Sequence, residues 1–239
     1  MGIIRNFPGL YVHVPFCAGK CPYCDFNSHE LSERPERAYV DTLLRDLDND
    51  LSLAKDRVVD TVFIGGGTPS LFQVSAIDTL LRGIKNSVTL SVDAEITLEA
   101  NPGSAEADKF IGLKEAGINR LSIGVQSFAD SQLNALGRVH DREQALRAIA
   151  LARQAGFDNF NLDLMHGLPG QSLQGATEDL KQAISTGAPH ISWYQLTIEP
   201  NTIFYKQTPR LPTEDSLASI QEAGEQRLNR ENYAQYEVS

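Results

Sequence analysis

Residues 95–101, EITLEAN, divide into two walls when every second residue is grouped: Thr97, Glu99 and Asn101 on one, Ile96, Leu98 and Ala100 on the other. Successive residues of a strand point to opposite faces, so this alternation predicts a strand with one polar and one apolar side. The same split recurs along the chain. Ser122, Gly124 and Gln126 oppose Leu121, Ile123 and Val125; Asn161 and Asp163 oppose Leu162 and Leu164; Tyr11 and His13 oppose Val12 and Val14. Residues 190–198, HISWYQLTI, are less regular, with Gln195 and Thr197 sharing a side with Trp193.

Six apolar-rich runs, at 9–16, 58–67, 95–102, 120–127, 159–167 and 190–198, alternate with amphipathic stretches at 37–51, 75–85, 106–117, 142–156 and 173–186. That rhythm predicts βα units in one α/β domain over residues 1–237, a parallel barrel or open barrel of six units. Parallel strands covered on both faces usually read as unbroken apolar runs. A polar wall in strand after strand instead predicts a barrel with a polar interior. Its polar groups gather toward the C-terminal strand ends, where barrel active sites lie. An antiparallel sheet with one wet side also produces alternation, but the intervening helices argue against it.

Composition sets the outer bounds. The 239 residues are 41% hydrophobic and 22% charged, the make-up of an ordinary globular protein. A net charge of −10 disfavours a surface that tracks phosphates, so nucleic acid is not an expected partner. No run approaches the about 20 apolar residues of a membrane span, so no transmembrane segment is expected. The first residues lack the hydrophobic stretch and cleavage site of a signal peptide. The expected location is therefore the cytoplasm, where clustered cysteines bind metal or react more often than they pair.

All three cysteines, Cys17, Cys21 and Cys24, fall in C-x3-C-x2-C on the loop after the first strand. Thiolates are soft ligands, and this spacing lets three of them close on one inorganic unit. A structural zinc site wants four protein ligands, and His13 or His29 could supply the fourth. A redox pair, Cys21 with Cys24, leaves the polar barrel unexplained. An iron–sulfur cluster is typically held by four cysteines, so three would leave one iron open to a small molecule.

Three further features accompany the cysteines. Gly65, Gly66 and Gly67, followed by Thr68 and Pro69, suit either a tight turn or a backbone that approaches a ligand. Phosphate-loop and dinucleotide patterns do not fit, the latter because Ser70 stands where its last glycine belongs. Glu99 has the parity of an inward carboxylate able to accept hydrogen bonds from a ribose or ammonium. Arg138, in LGRVH, reads either as a surface cation or as a partner for a carboxylate.

C-x3-C-x2-C after the first strand of a partial barrel resembles the radical S-adenosylmethionine (SAM) superfamily. YVHVPFCAGKCPYCDFNSH, FIGGGTPSLF, EITLEANPG, RLSIGVQSF, LGRVH, NLDLMHGLPGQ and WYQLTIEPNT resemble, in order, the HemW haem-chaperone family. The resemblance implies a partial (β/α)6 TIM-like radical SAM barrel with parallel strands. It also implies a [4Fe–4S] cluster on Cys17, Cys21 and Cys24 whose free iron is chelated by SAM. SAM contacts would come from Tyr11, Gly66, Gly67, Thr68, Glu99, Gln126, Arg138 and Asp163. The implied function is transfer of haem to an acceptor protein, with a reductant for the cluster. Oxygen-independent coproporphyrinogen III dehydrogenase, a radical decarboxylating enzyme, is the alternative. Those enzymes are similar but extend the motif to C-x2-C-x-C, whereas Asp25 and Phe26 follow Cys24 here.

Relatives of this kind continue into a C-terminal region with an HNxxYW motif implicated in haem binding. None of His13, His29, His140, His166 and His190 matches it, and the sequence ends at NYAQYEVS, as a seventh strand is expected to begin. The expectation is a truncated chain whose core houses the cluster, with haem binding in question.

Overall fold

The computed structural model describes residues 9–30, 35–52 and 57–238; positions 1–8, 31–34 and 53–56 of the expected domain lie outside them. Six parallel strands form one sheet: β1 (Gly9–Val14), β4 (Val59–Gly66), β5 (Leu90–Ala100), β6 (Arg120–Gln126), β7 (Phe160–His166) and β8 (His190–Gln195). Each is bonded to its successor in the order β1-β4-β5-β6-β7-β8. No strand is skipped, so the sheet winds in one sense, as in a barrel wall and unlike a doubly wound sheet with a switch point. Between β1 and β4 the short parallel pair β2 (Phe16–Cys17) and β3 (His29–Glu30) pins both ends of the cysteine segment.

Helices fill the connections: α1 (Glu36–Asp50), α2 (Val74–Ser87), α3 (Ser104–Ala107), α4 (Phe110–Ala116), α5 (Asp130–Ala135), α6 (Arg142–Gln154), α7 (Leu173–Ser185), α8 (Ile203–Lys206) and α9 (Glu214–Arg230). Their apolar stripes explain the packing. Ile77, Leu80, Leu81 and Ile84 of α2 recur at helical spacing and are all buried. Asp141 begins α6 with a capping box, accepting from the Gln144 N–H while Gln144 Oε1 accepts from the Asp141 N–H. The stretch expected as a single helix over 106–117 is two, α3 and α4, separated at Asp108 and Lys109. Lys109 Nζ turns back to donate to the carbonyls of Ser70, Leu71 and Phe72 at 2.9–3.1 Å, which ties this break to the loop after β4.

The two walls of the sheet are used differently. Val12, Val14, Val62, Ile64, Ile96, Leu98, Leu121, Ile123, Leu162 and Leu164 join one core beneath the helices. The opposite wall carries Glu99, Ser122, Gln126, Asn161 and Asp163 as its inward parity predicts. On β8 that wall is made by Ser192 and Tyr194, while Trp193 packs against the helix-side core. A smaller apolar cluster of Leu136, Met165, Leu168, Leu196 and Phe204 sits beyond the strand ends, with Tyr23 and Tyr194 against it.

Residues 233–238 do not form the expected seventh strand. They lie near the start of β8, where the Tyr233 hydroxyl donates to the Ala188 carbonyl at 2.5 Å and the Tyr236 ring meets His190 edge-on. Side-chain anchors of this kind take the place of a β ladder.

If the helix-side wall is the seat of stability, Leu98→Ala, at a fully buried position, should cost about 2–5 kcal/mol in urea unfolding. Val92→Ala, at an exposed position of the same strand, should leave the midpoint close to wild type.

Candidate metal and cofactor site

The C-terminal strand ends and the cysteine loop enclose a cavity of about 530 Å³. Cys17, Cys21 and Cys24 line it together with Gly66, Gly67, Thr68, Glu99, Gln126, Arg138 and Asp163. Tyr11 alone of the predicted site residues stays outside this lining. It is exposed on β1, where its hydroxyl donates to His13 Nδ1 at 2.9 Å.

The cysteine loop is fastened to the barrel by backbone. The Gly67 N–H donates to Val14 O at 2.7 Å and the Thr68 N–H to Phe16 O at 2.8 Å. A Cβ on Gly67 would stand 2.6 Å from Phe16 O, so only glycine permits this approach. Gly66 has φ +113°, a left-handed conformation, and a Cβ there would strike the His13 ring at 2.7 Å. The turn reading of these glycines therefore holds, and it serves to seat the cysteines. His13 Nε2 donates to Asn27 O at 2.8 Å, and Lys20 Nζ donates to Phe26 O at 2.9 Å, bracing the far side of the loop. From α8 the Phe204 N–H donates to Pro22 O at 2.9 Å.

None of the three thiols is in a disulfide. Cys17 accepts a hydrogen bond from Thr68 Oγ1 at 3.8 Å, and Cys21 one from Arg138 Nη1 at 3.5 Å. Burial pushes the Cys24 thiol up. A metal centre would supply the positive charge that holds it as a thiolate, with release of a proton. Among the described residues no three His, Cys, Asp or Glu side chains converge closely enough to hold a single metal ion. His13, the first histidine weighed as a fourth ligand, has both ring nitrogens engaged, and His29 is exposed on β3.

The floor of the cavity is a carboxylate network. Glu99 Oε2 accepts from the Gly66 N–H at 3.0 Å, yet burial first, and the nearby Asp163 second, raise its carboxyl to about 7. Asp163 is raised by burial to about 6, although Ser122 Oγ and Asn161 Nδ2 donate to it at 3.0 and 2.7 Å. Gln126 ends β6 with φ +67°, where the β6–β7 register shifts, and its Oε1 accepts from the Tyr194 hydroxyl at 2.7 Å. The loop beyond is held by Asp179 of α7, which accepts from Ser127 Oγ and the Phe128 N–H, both at 2.7 Å. Tyr23, Tyr194, Ser192 and Asp179 escaped the sequence reading. The two tyrosines look like core aromatics, and the signal for Ser192 was the parity of β8, which Gln195 obscured.

Glu99 makes the pH dependence calculable. Between pH 4.5 and about 7 the native state holds a proton that the unfolded state releases, so this group's contribution to stability falls as pH rises through that window. Glu99→Gln removes the effect. In urea unfolding without added ligand, the stability of the variant relative to wild type should rise with pH across the window, by up to about 3 kcal/mol. A difference independent of pH would contradict the placement of Glu99.

Known proteins share this architecture. The heme chaperone HemW of Escherichia coli is 56% identical over 231 residues, which cover 96% of this chain and 61% of that protein. That of Haemophilus influenzae is 53% identical with the same coverage. The chain thus spans about three fifths of the length of these curated relatives. Among solved structures, coproporphyrinogen III oxidase (HemN) from Escherichia coli, a radical SAM enzyme, superposes with a TM-score of 0.85 at 28% identity. The match covers 94% of this chain and 53% of that one. The sequence model of the radical SAM superfamily matches residues 11–183, well over half of the chain, and the chain therefore belongs to that superfamily.

Proposed function

We propose that Cys17, Cys21 and Cys24 hold a [4Fe–4S] cluster with one iron left for SAM, and that residues 1–237 form the core of a haem chaperone that passes haem to an acceptor protein. Superfamily membership implies the cluster and SAM. The observation that carries the reading is the meeting of three free thiols and a polar floor in one cavity. A zinc ion needs four donors at about 2.0–2.3 Å from a single centre. His13 has both ring nitrogens engaged, with Tyr11 and Asn27, so zinc lacks the fourth donor weighed for it there, whereas three thiolates leave an iron–sulfur cluster one iron open.

When bound, the cluster supplies a low-potential electron and SAM the sulfonium that accepts it. The chain's own residues bind and orient. Backbone at Gly66, Gly67 and Thr68 offers a surface close to the thiols for the amino acid portion of SAM. Glu99, poised near neutrality, is suited to accept hydrogen bonds from an ammonium or ribose hydroxyl, and such a ligand would draw it to the carboxylate. Gln126 and Asp163 extend the same acceptor row. Tyr11, on β1 beside the cavity, lies close enough to Glu99 to feel its charge, and the SAM contact expected for it belongs to the same proposal.

Identity to the heme chaperones supports haem delivery over coproporphyrinogen dehydrogenation, as does the Asp25-Phe26 sequence after Cys24. Among the described residues no helix is long and apolar enough to cross a membrane.

Anaerobic reconstitution with iron and sulfide should give about four irons per chain. Cys21→Ala should lose that stoichiometry while keeping the wild-type circular dichroism, because the core is built from aliphatic side chains and phenylalanines and does not include Cys21. Zinc retained without iron and sulfide would contradict the proposal. Conversion of coproporphyrinogen to protoporphyrinogen by the reconstituted chain with SAM and reductant would favour the enzyme instead.

A further inference from the structure

Arg138, expected among the SAM contacts, lines the cavity and also reaches the cysteine loop. Nη1 donates to Cys21 Sγ at 3.5 Å, and Nη2 donates to Gly124 O at 2.9 Å and to Asn101 Oδ1. The residue before it, Gly137, has φ +65°, and a Cβ there would stand 2.8 Å from Pro22 Cδ, so the β6–α6 connection presses directly on the cysteine loop. A Cβ on Gly124 would press on Gln126 Nε2 at 3.1 Å and lie in ordinary contact with Arg138 Nη2 at 3.5 Å, so the guanidinium packs directly over this backbone. The side chain is thus a strut between the end of β6, the end of β5 and the middle cysteine.

We propose that Arg138 is a positioning residue for the Cys21 thiolate, donating to its sulfur and holding a fixed positive charge beside it, and that it sets the reduction potential of the metal centre bound there. The inference rests on reading the cysteines as cluster ligands. Hydrogen bonds to cluster sulfurs and the charge around them are the protein's levers on potential. Reduction adds one negative charge, so a donor and a cation at Cys21 stabilise the reduced state and raise the potential. An arginine suits the place because its charge is permanent and its fork can reach sulfur and two oxygens together. Lysine keeps the charge but offers a single point of attachment.

The test is a mediated anaerobic redox titration of the reconstituted chain without SAM, followed by electron paramagnetic resonance, for wild type, Arg138→Lys and Arg138→Met. Iron content and SAM affinity are measured in parallel. The midpoint should move to more negative potential in the order wild type, Lys, Met, at unchanged iron and sulfide per chain. Should Arg138→Met fail to assemble the centre, Arg138→Lys and Asn101→Ala decide, each moving the midpoint in the same direction. Midpoints equal to wild type, with SAM affinity reduced about tenfold or more, would overturn the proposal in favour of a ligand clamp. A wild-type chain that takes up no iron would instead contradict the cluster reading beneath it.

Discussion

A sheet bonded in chain order, every strand parallel to the next, has two walls that cannot be used alike. Helices crossing on one side cover the apolar wall, and Val62, Ile64, Ile96, Leu98 and their neighbours settle into that core. The other wall faces away from that core, and it carries Glu99, Ser122, Asn161 and Asp163. Polar groups withdrawn from water need partners, so this wall is either cross-linked to itself or completed by something polar. Both occur. Asn161 donates to Ser122, Asp163 and Ser192 and ties three strands together, while among the described residues only the Gly66 N–H donates to Glu99.

That contrast separates structure from chemistry. The deep part of the wall is satisfied by its own hydrogen bonds. The part near the strand ends holds a carboxyl lifted to about 7, a glutamine in a left-handed backbone conformation and thiols without a disulfide. Strained or electrostatically unsettled groups collect where a ligand is to arrive. The glycine loop shows how the parts are coupled: the absent side chain of Gly67 lets β4's exit touch Phe16, and that contact sets where Cys17 begins.

Much of this was legible in the sequence because period-two alternation survives tertiary packing. The parity of Thr97 and Glu99 in β5, continued by Asn101 just beyond it, identified the polar wall, and the cysteine spacing identified the loop that faces it. What escaped has physical reasons. The first residues of β5, from Leu90, alternate less clearly, with Val92 exposed. Helix α9 is polar on most of its surface and buries only Ile220 and Gly224, so it lacked an apolar stripe to read. On β8, Trp193 faces the core beneath α9, close enough that a Cβ on Gly224 would stand 2.5 Å from its Nε1, which puts Tyr194 rather than Gln195 on the polar wall. The seventh strand was expected to begin in NYAQYEVS, whose Tyr233 and Tyr236 instead serve as side-chain anchors.

The central claim is that three protein sulfurs hold an iron centre with one corner reserved for a small molecule. Electron–nuclear double resonance of the reduced, reconstituted chain with SAM labelled at its amino nitrogen or carboxylate oxygen asks this directly. Hyperfine coupling from the label to the cluster spin is the result this account predicts. No coupling, together with a fourth protein ligand on the iron, would contradict it.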